Sequence, residues 1–281
     1  MILKVQHVSE YLYSRPIYLD PHILRLRPRS DGSQRLIRFQ QQVTPKPVGR
    51  ADYTDLEGNA ATQAWFENTT TSLLITSEFE IETLRANPFD FLITDSSVMS
   101  MPVRYAEGCE TFLAPYCQPA SYTPDVAEFS RRIAAESDGS TLDFLRRLCT
   151  NIHESIDAEV RESGPPQSSE RTLERGIGAC RDLAILFIDA CRIQGLAARF
   201  TSGYCDDGST DGRNRLHAWA EVYLPGGGWR GFDPSAGLAV ADRHIPVAAS
   251  LNASGATPVS GSFWGSDVST TVKVRVSVQP A

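Results

Sequence analysis

A cysteine that opens a helical pattern, followed downstream by a histidine and then an aspartate on strand-like segments, limits the folds open to this chain. The three stretches are Gly176-Ile177-Gly178-Ala179-Cys180-Arg181-Asp182-Leu183, Leu216-His217-Ala218-Trp219-Ala220-Glu221-Val222 and Gly231-Phe232-Asp233-Pro234. Used together, they require the start of one helix to lie beside two neighbouring strands. Gly176 and Gly178 allow a tight approach to the helix and leave the sulfur accessible. From Cys180 onward, Leu183, Leu186, Phe187, Ala190 and Cys191 form a broad helical stripe, and Gln194-Gly195 supplies the stop. Residues 197–204, 216–224 and 229–232 read as strands. Alternation puts His217, Trp219 and Glu221 on one face and Ala218, Ala220 and Val222 on the other. Pro234 ends the last strand just after Asp233.

These residue types at these places suit nucleophilic acyl transfer. A thiol at a helix N-terminus is favoured as the thiolate and lies beside backbone donors that can meet an oxyanion. A histidine can take the thiol proton and return it to a leaving amine, while an aspartate on its second nitrogen fixes the tautomer. Cys180, His217 and Asp233 are therefore the candidate catalytic residues. Asp182 is a candidate for orienting Arg181, capping the helix or shaping the cleft. Tyr204 is a candidate for lining that cleft, and Trp219 and Trp229 for walling a substrate channel, with plain packing as the alternative for both tryptophans. Cys149, Cys191 and Cys205 read as small buried hydrophobes.

The rest of the chain reads as α+β. Before about residue 100, runs such as Leu73, Ile75, Phe79 and Ile81 keep a two-residue rhythm between Gly-, Pro- and Asp-rich turns, which predicts an antiparallel β-sandwich. Thr123-Pro124-Asp125 has a capping hydroxyl, an early proline and an early acid, so a helix is expected there. After Gly139-Ser140, Leu145, Leu148, Cys149, Ile152 and Ile156 keep a helical period. The segment from Gly164 to Ser169 reads as an exposed loop, and residues 248–261 as a looser stretch. Residues 271–278 alternate as a strand that could return to the N-terminal sandwich. The expected division is a β-rich unit over 1–115 completed by the 270–279 strand, a catalytic unit over 116–250, and a linker with the returning strand over 251–281.

The same three stretches, from about Asp143 through Gly237, resemble the transglutaminase-like superfamily, including its bacterial branch of proposed cysteine proteases. Residues 1 to about 80 resemble the β-rich N-terminal region that accompanies that branch. The resemblance implies a papain-like or transglutaminase-like core, with a cysteine-bearing helix packed on an antiparallel sheet that carries the histidine and aspartate. It also implies that Cys180, His217 and Asp233 occupy the triad positions. An acyl-thioester on Cys180 would be resolved by water, giving a peptidase or amidase, or by an amine acceptor, giving a transglutaminase. A non-catalytic peptide-binding or scaffolding module is the other class left open.

The candidate triad and the resemblance imply a peptide or protein amide substrate and an optional amine acceptor as partners. A net charge of -7 gives no electrostatic reason to bind nucleic acid. The cluster Arg25, Arg27, Arg29, Arg35 and Arg38 reads as the wet face of a strand. No apolar run approaches the roughly 20 residues that span a bilayer, and the first residues lack a continuous leader core, so a cytoplasmic location is the default expectation. The six cysteines fit no metal-binding pair motif, and reduced thiols suit that compartment better than a Cys109–Cys117 bridge. Asp206-Asp207-Gly208-Ser209 lacks the spacing and terminal acid of a calcium loop and reads as a polar hairpin turn. No metal and no cofactor are expected, and the sequence leaves the oligomeric state open.

Overall fold

The first strand, β1 (Ile2–Leu19), buries Leu3, Val5, His7 and Ser9 and turns the residues between them outward, as a half-buried strand must. In the computed structural model, which describes residues 1–120, 122–161, 164–206 and 216–281, it is followed by further strands. These are β2 (His22–Leu24), β3 (Gln34–Thr44), β4 (Gly49–Thr54), β5 (Ala60–Trp65) and β6 (Thr69–Thr83). The middle of the chain holds α1 (Glu110–Leu113), α2 (Pro124–Ala135), α3 (Thr141–Ser155), β7 (Asp157–Ala158), α4 (Ser169–Arg175), β8 (Ile177–Gly178) and α5 (Cys180–Ile193). Then come β9 (Ala198–Cys205), β10 (Leu216–Leu224), β11 (Gly228–Asp233), β12 (Leu238–Ala239) and β13 (His244–Ser250). The last strands are β14 (Val259–Ser260), β15 (Phe263–Trp264) and β16 (Thr270–Pro280).

The strands form an N-terminal β-sandwich or half-barrel beside a helix-and-strand core. In one sheet, β1 pairs with β6, which carries β3, and on its other side with β15 and β16. A second sheet runs β14-β2-β5-β4, and the third, β12-β11-β10-β9-β13. The stripe on α5 packs against this third sheet: Leu183, Leu186 and Phe187 share a core with Phe144, Leu145 and Leu148 of α3 and with Ala218, Ala220, Val222 and Phe232. Phe187 stacks on Phe232 with centroids 5.6 Å apart and planes at 19°. Truncating such a ring to alanine costs about 3–5 kcal/mol.

The N-terminal sheets clamp the outer strand of the third sheet. Gln34 Nε2 donates to the Pro246 carbonyl at 2.7 Å, and Asn59 both donates to the Ala249 carbonyl and accepts its N–H, each at 2.8 Å. The Leu251 N–H donates to Glu57 Oε1 at 2.8 Å. A second apolar cluster joins Leu3, Val5, Phe79 and Ile81 to Tyr204, Ile245 and Val247 across the same boundary.

Several local expectations need correction. Thr123 makes no side-chain cap to α2, whose start is fixed by Pro124 instead, whereas Ser140 does cap α3 by accepting from the Asp143 N–H. The segment expected as a loop ends in a helix, because Ser168 accepts from the Arg171 N–H and starts α4. The stretch expected to be loose begins inside β13. The five arginines share no strand: Arg25, Arg27 and Arg29 follow β2, whereas Arg35 and Arg38 lie in β3. Arg25 and Arg35 are paired with Asp55 and Glu82. Cys205 is half-exposed, unlike buried Cys149 and Cys191. Residues 207–209 of the expected polar turn lie outside the described residues.

Candidate active site

The chain reaches the cysteine through a tight approach. Helix α4 ends at Gly176, whose φ of +62° is left-handed and suits glycine. At Gly178 a Cβ would lie 3.1 Å from the Asp182 Cβ and 3.2 Å from the Thr172 Cγ2, so a side chain there would crowd the loop. Cys180 then opens α5, half-buried, at the end where a helix leaves its leading N–H groups without an acceptor one turn back.

Asp182 organises this loop. Its Oδ2 accepts the Ala179 N–H at 2.8 Å, capping α5, and the Gln167 Nε2 at 3.1 Å. Its Oδ1 accepts from Arg161 Nη2 and from the Gln167 N–H, both at 2.8 Å. Burial alone would raise the Asp182 pKa, but the Arg161 guanidinium and the N–H donors outweigh it and hold the carboxyl below its ordinary value. The basic residue it orients is Arg161; the Arg181 guanidinium instead donates to the carbonyls of Arg161 at 2.8 Å and Gly164 at 3.3 Å.

His217 stands at the start of β10 and Asp233 at the end of the neighbouring β11. The His217 Nε2 is 2.6 Å from Asp233 Oδ2, and the Cys180 side chain is near enough to influence the titration of the same ring. Because Nε2 serves the carboxylate, Nδ1 is the nitrogen left for the sulfur. Burial would lower the His217 pKa; hydrogen bonds to Asp233 and Cys180, with their charge, overcome it and raise the value from 6.5 to about 10. Asp233 is fully buried, which alone would raise its pKa. Hydrogen bonds from His217 and His244 hold it well below the ordinary carboxylate range. Its Oδ1 accepts the Ser235 N–H and hydroxyl at 3.0 and 2.7 Å and the Ala236 N–H at 3.3 Å.

His244 is the residue that sequence reasoning missed. From β13 its Nε2 lies 3.0 Å from Asp233 Oδ2, the oxygen that His217 also uses. Its strand is buried on both faces, so no alternation marks it, and only its pairing with β9 brings it to the site. His217, Asp233 and His244 have ligand-type atoms within 4.8 Å of one another. Both Nε2 atoms also lie at hydrogen-bond distance from the one Asp233 oxygen, an arrangement that suits two ring N–H donors sharing one acceptor.

The aromatic accessory residues act in packing. Tyr204 is fully buried, with its hydroxyl 3.0 Å from His7 Nδ1 and its ring on Phe79, so it joins the two halves of the molecule instead of lining the site. Trp219 is also fully buried and does not wall an open channel; its ring packs on His217 and edge-on to His244 at 6.0 and 5.2 Å. Trp229 packs on Tyr116 and Tyr223, and the Arg199 guanidinium covers it at 4.2 Å, so it too serves as a packing residue.

Residues 3–82 match the bacterial transglutaminase-like N-terminal region, and residues 127–234 match the transglutaminase-like superfamily. The chain belongs to the transglutaminase-like superfamily. A crystal structure of a proposed cysteine protease from Cytophaga hutchinsonii shares the fold, with a TM-score of 0.73 and 19% identity over 100% of this chain and 91% of that one. Among sequence relatives of this transglutaminase-like chain, the uncharacterized protein ML0607 of Mycobacterium leprae is 26% identical over 94% of this chain and 93% of its own length. The uncharacterized protein Rv2569c of Mycobacterium tuberculosis is 25% identical, over 99% and 92%.

The cytoplasmic expectation is corrected. The similar solved structures include the periplasmic domain of TgpA from Pseudomonas aeruginosa, with 12% identity over 82% of this chain and 87% of that one and a TM-score of 0.39. The expectation had rested on the lack of a leader core and of a span, and neither feature separates a cytoplasmic protein from an exported one. No helix among the described residues is long and apolar enough to cross a membrane.

Proposed function

We propose that this protein is a thiol-dependent amide or peptide hydrolase that works through an acyl-thioester on Cys180. What supports the reading is the His217 ring, held at 2.6 Å by the Asp233 carboxylate, with Cys180 close enough to help raise its pKa to about 10. In this reading His217 holds its proton at neutral pH and serves as the acid. The Cys180 sulfur attacks the amide carbonyl, and the Cys180 backbone N–H at the start of α5 meets the oxyanion. His217 then gives its proton to the departing amine, the C–N bond breaks, and the acyl group stays on sulfur as a thioester. Water, its proton taken by His217, attacks the thioester and returns the free thiol. Asp233 holds the ring and its charge throughout without taking the proton. Residues 116–250 carry this chemistry, and residues 1–115 with the 270–279 strand brace it.

Incubation with a set of peptide amides, with and without a primary amine, followed by mass analysis of products and of Cys180, tests the proposal. Hydrolysed product and a Cys180 acyl adduct in the amine-free arm are expected. Product formed only with the amine would make the enzyme an acyltransferase. No adduct and no product in either arm would remove the enzymatic reading.

A further inference from the structure

We propose that His244 is a positioning residue for the candidate triad, fixing the Asp233 carboxylate so that Oδ2 faces His217; this role rests on the hydrolase reading above. The donors to Asp233 Oδ1 come from Ser235 and Ala236, in the turn that follows the aspartate itself. Those donors move with Asp233 and cannot by themselves register it against the rest of the sheet. His244 can, because it lies on β13, at the opposite edge of the sheet from β12, and reaches Oδ2 at 3.0 Å. With His217 at 2.6 Å on the same oxygen, rotating the carboxylate about its Cβ–Cγ bond would break bonds to both rings.

The ring of His244 is itself held. Only 5% exposed, it stands edge-on to Trp219 at 5.2 Å, and its centroid is 5.9 Å from that of His217. Its strand is pinned from outside by Gln34 on Pro246 and Asn59 on Ala249. The N-terminal sheets thereby reach the site through one strand and one ring. His244 touches no reacting atom, and its effect passes through Asp233 to His217 and the sulfur.

The test follows alkylation of Cys180 by iodoacetamide in the full chain, read on the Cys180 peptide by mass spectrometry at about pH 6 and about pH 9.5. His244→Phe keeps an aromatic ring but has no donor, whereas His244→Gln supplies an amide N–H at the place of Nε2. The phenylalanine variant is expected to slow labelling about tenfold or more at the lower pH and to leave it unchanged at the higher, where a thiol ionises unaided. The glutamine variant is expected to stay within about threefold of the parent. Should His244→Phe fail to fold, His244→Asn, whose amide is one methylene too short, takes its place with the same expectation. Wild-type labelling in the donor-free variant at the lower pH, or equal slowing in the glutamine variant, would overturn the role and leave only packing. If the parent itself labels slowly there and is indifferent to His217→Ala, the triad reading fails instead, and the role of His244 goes with it.

Discussion

His7 lies buried in the N-terminal sheet and His217 half-buried in the sheet that bears the candidate site, and the two rings answer desolvation in opposite ways. His7 meets only hydroxyls, with Nε2 2.7 Å from Ser9 Oγ and Nδ1 3.0 Å from the Tyr204 hydroxyl. Burial therefore prevails, and its pKa falls from 6.5 to about 4. Desolvation also works to lower the His217 pKa, but this ring faces Asp233 and Cys180, and its pKa rises to about 10. A neutral partner can complete a hydrogen bond without stabilising the charged ring; an ionised one does both. One residue type is thus held neutral in one sheet and charged in the other.

The sharpest way to break this contrast is Asp233→Asn, which removes the charge but keeps a polar side chain. His217 should then behave as His7 does, and Cys180 alkylation at about pH 6 should fall about a hundredfold or more. A third ionisable group asks whether the rule extends beyond histidines. Asp182→Asn leaves Arg161 facing a neutral amide and should cost about 2–3 kcal/mol in a denaturant melt.

The His7 side of the comparison predicts a pH dependence of stability. Its folded pKa lies below its unfolded value, so the folded state binds the proton less readily, and stability should be lost as pH falls from 6.5 towards about 4. Between neutral pH and about pH 5 the loss should be about 2 kcal/mol, and His7→Gln should abolish that part of it. His217 has the opposite sign: its contribution is complete below 6.5 and is lost as pH rises through about 10. An exposed ion pair supplies the small end of the scale. Arg35→Ala, which breaks a contact with Glu82 in which the arginine is 68% exposed, should change stability by no more than about 0.5 kcal/mol.

What the sequence made legible was local. The stripe from Leu183 to Cys191 marked α5 with Cys180 at its start, and the rhythm of residues 216–224 marked β10. Those patterns exist because each element has a face that must be buried against a neighbour. The missed features lack such a pattern or depend on distant partners. β13 is buried on both faces and shows no alternation, which hid His244. Tyr204 is a cleft candidate by sequence, but its hydroxyl partner is 197 positions away in the chain. Helix α4 is short and buries only Ser169 and Thr172, so it carries no apolar stripe to find.

The most direct test of the account is an NMR titration of the His217 ring in the parent and in Cys180→Ala. The account predicts that the parent ring keeps its proton until about pH 10 and releases it at lower pH once the sulfur is gone. A parent ring that titrates near 6.5, unmoved by loss of the thiol, would contradict the claim that sulfur, imidazole and carboxylate act as one unit.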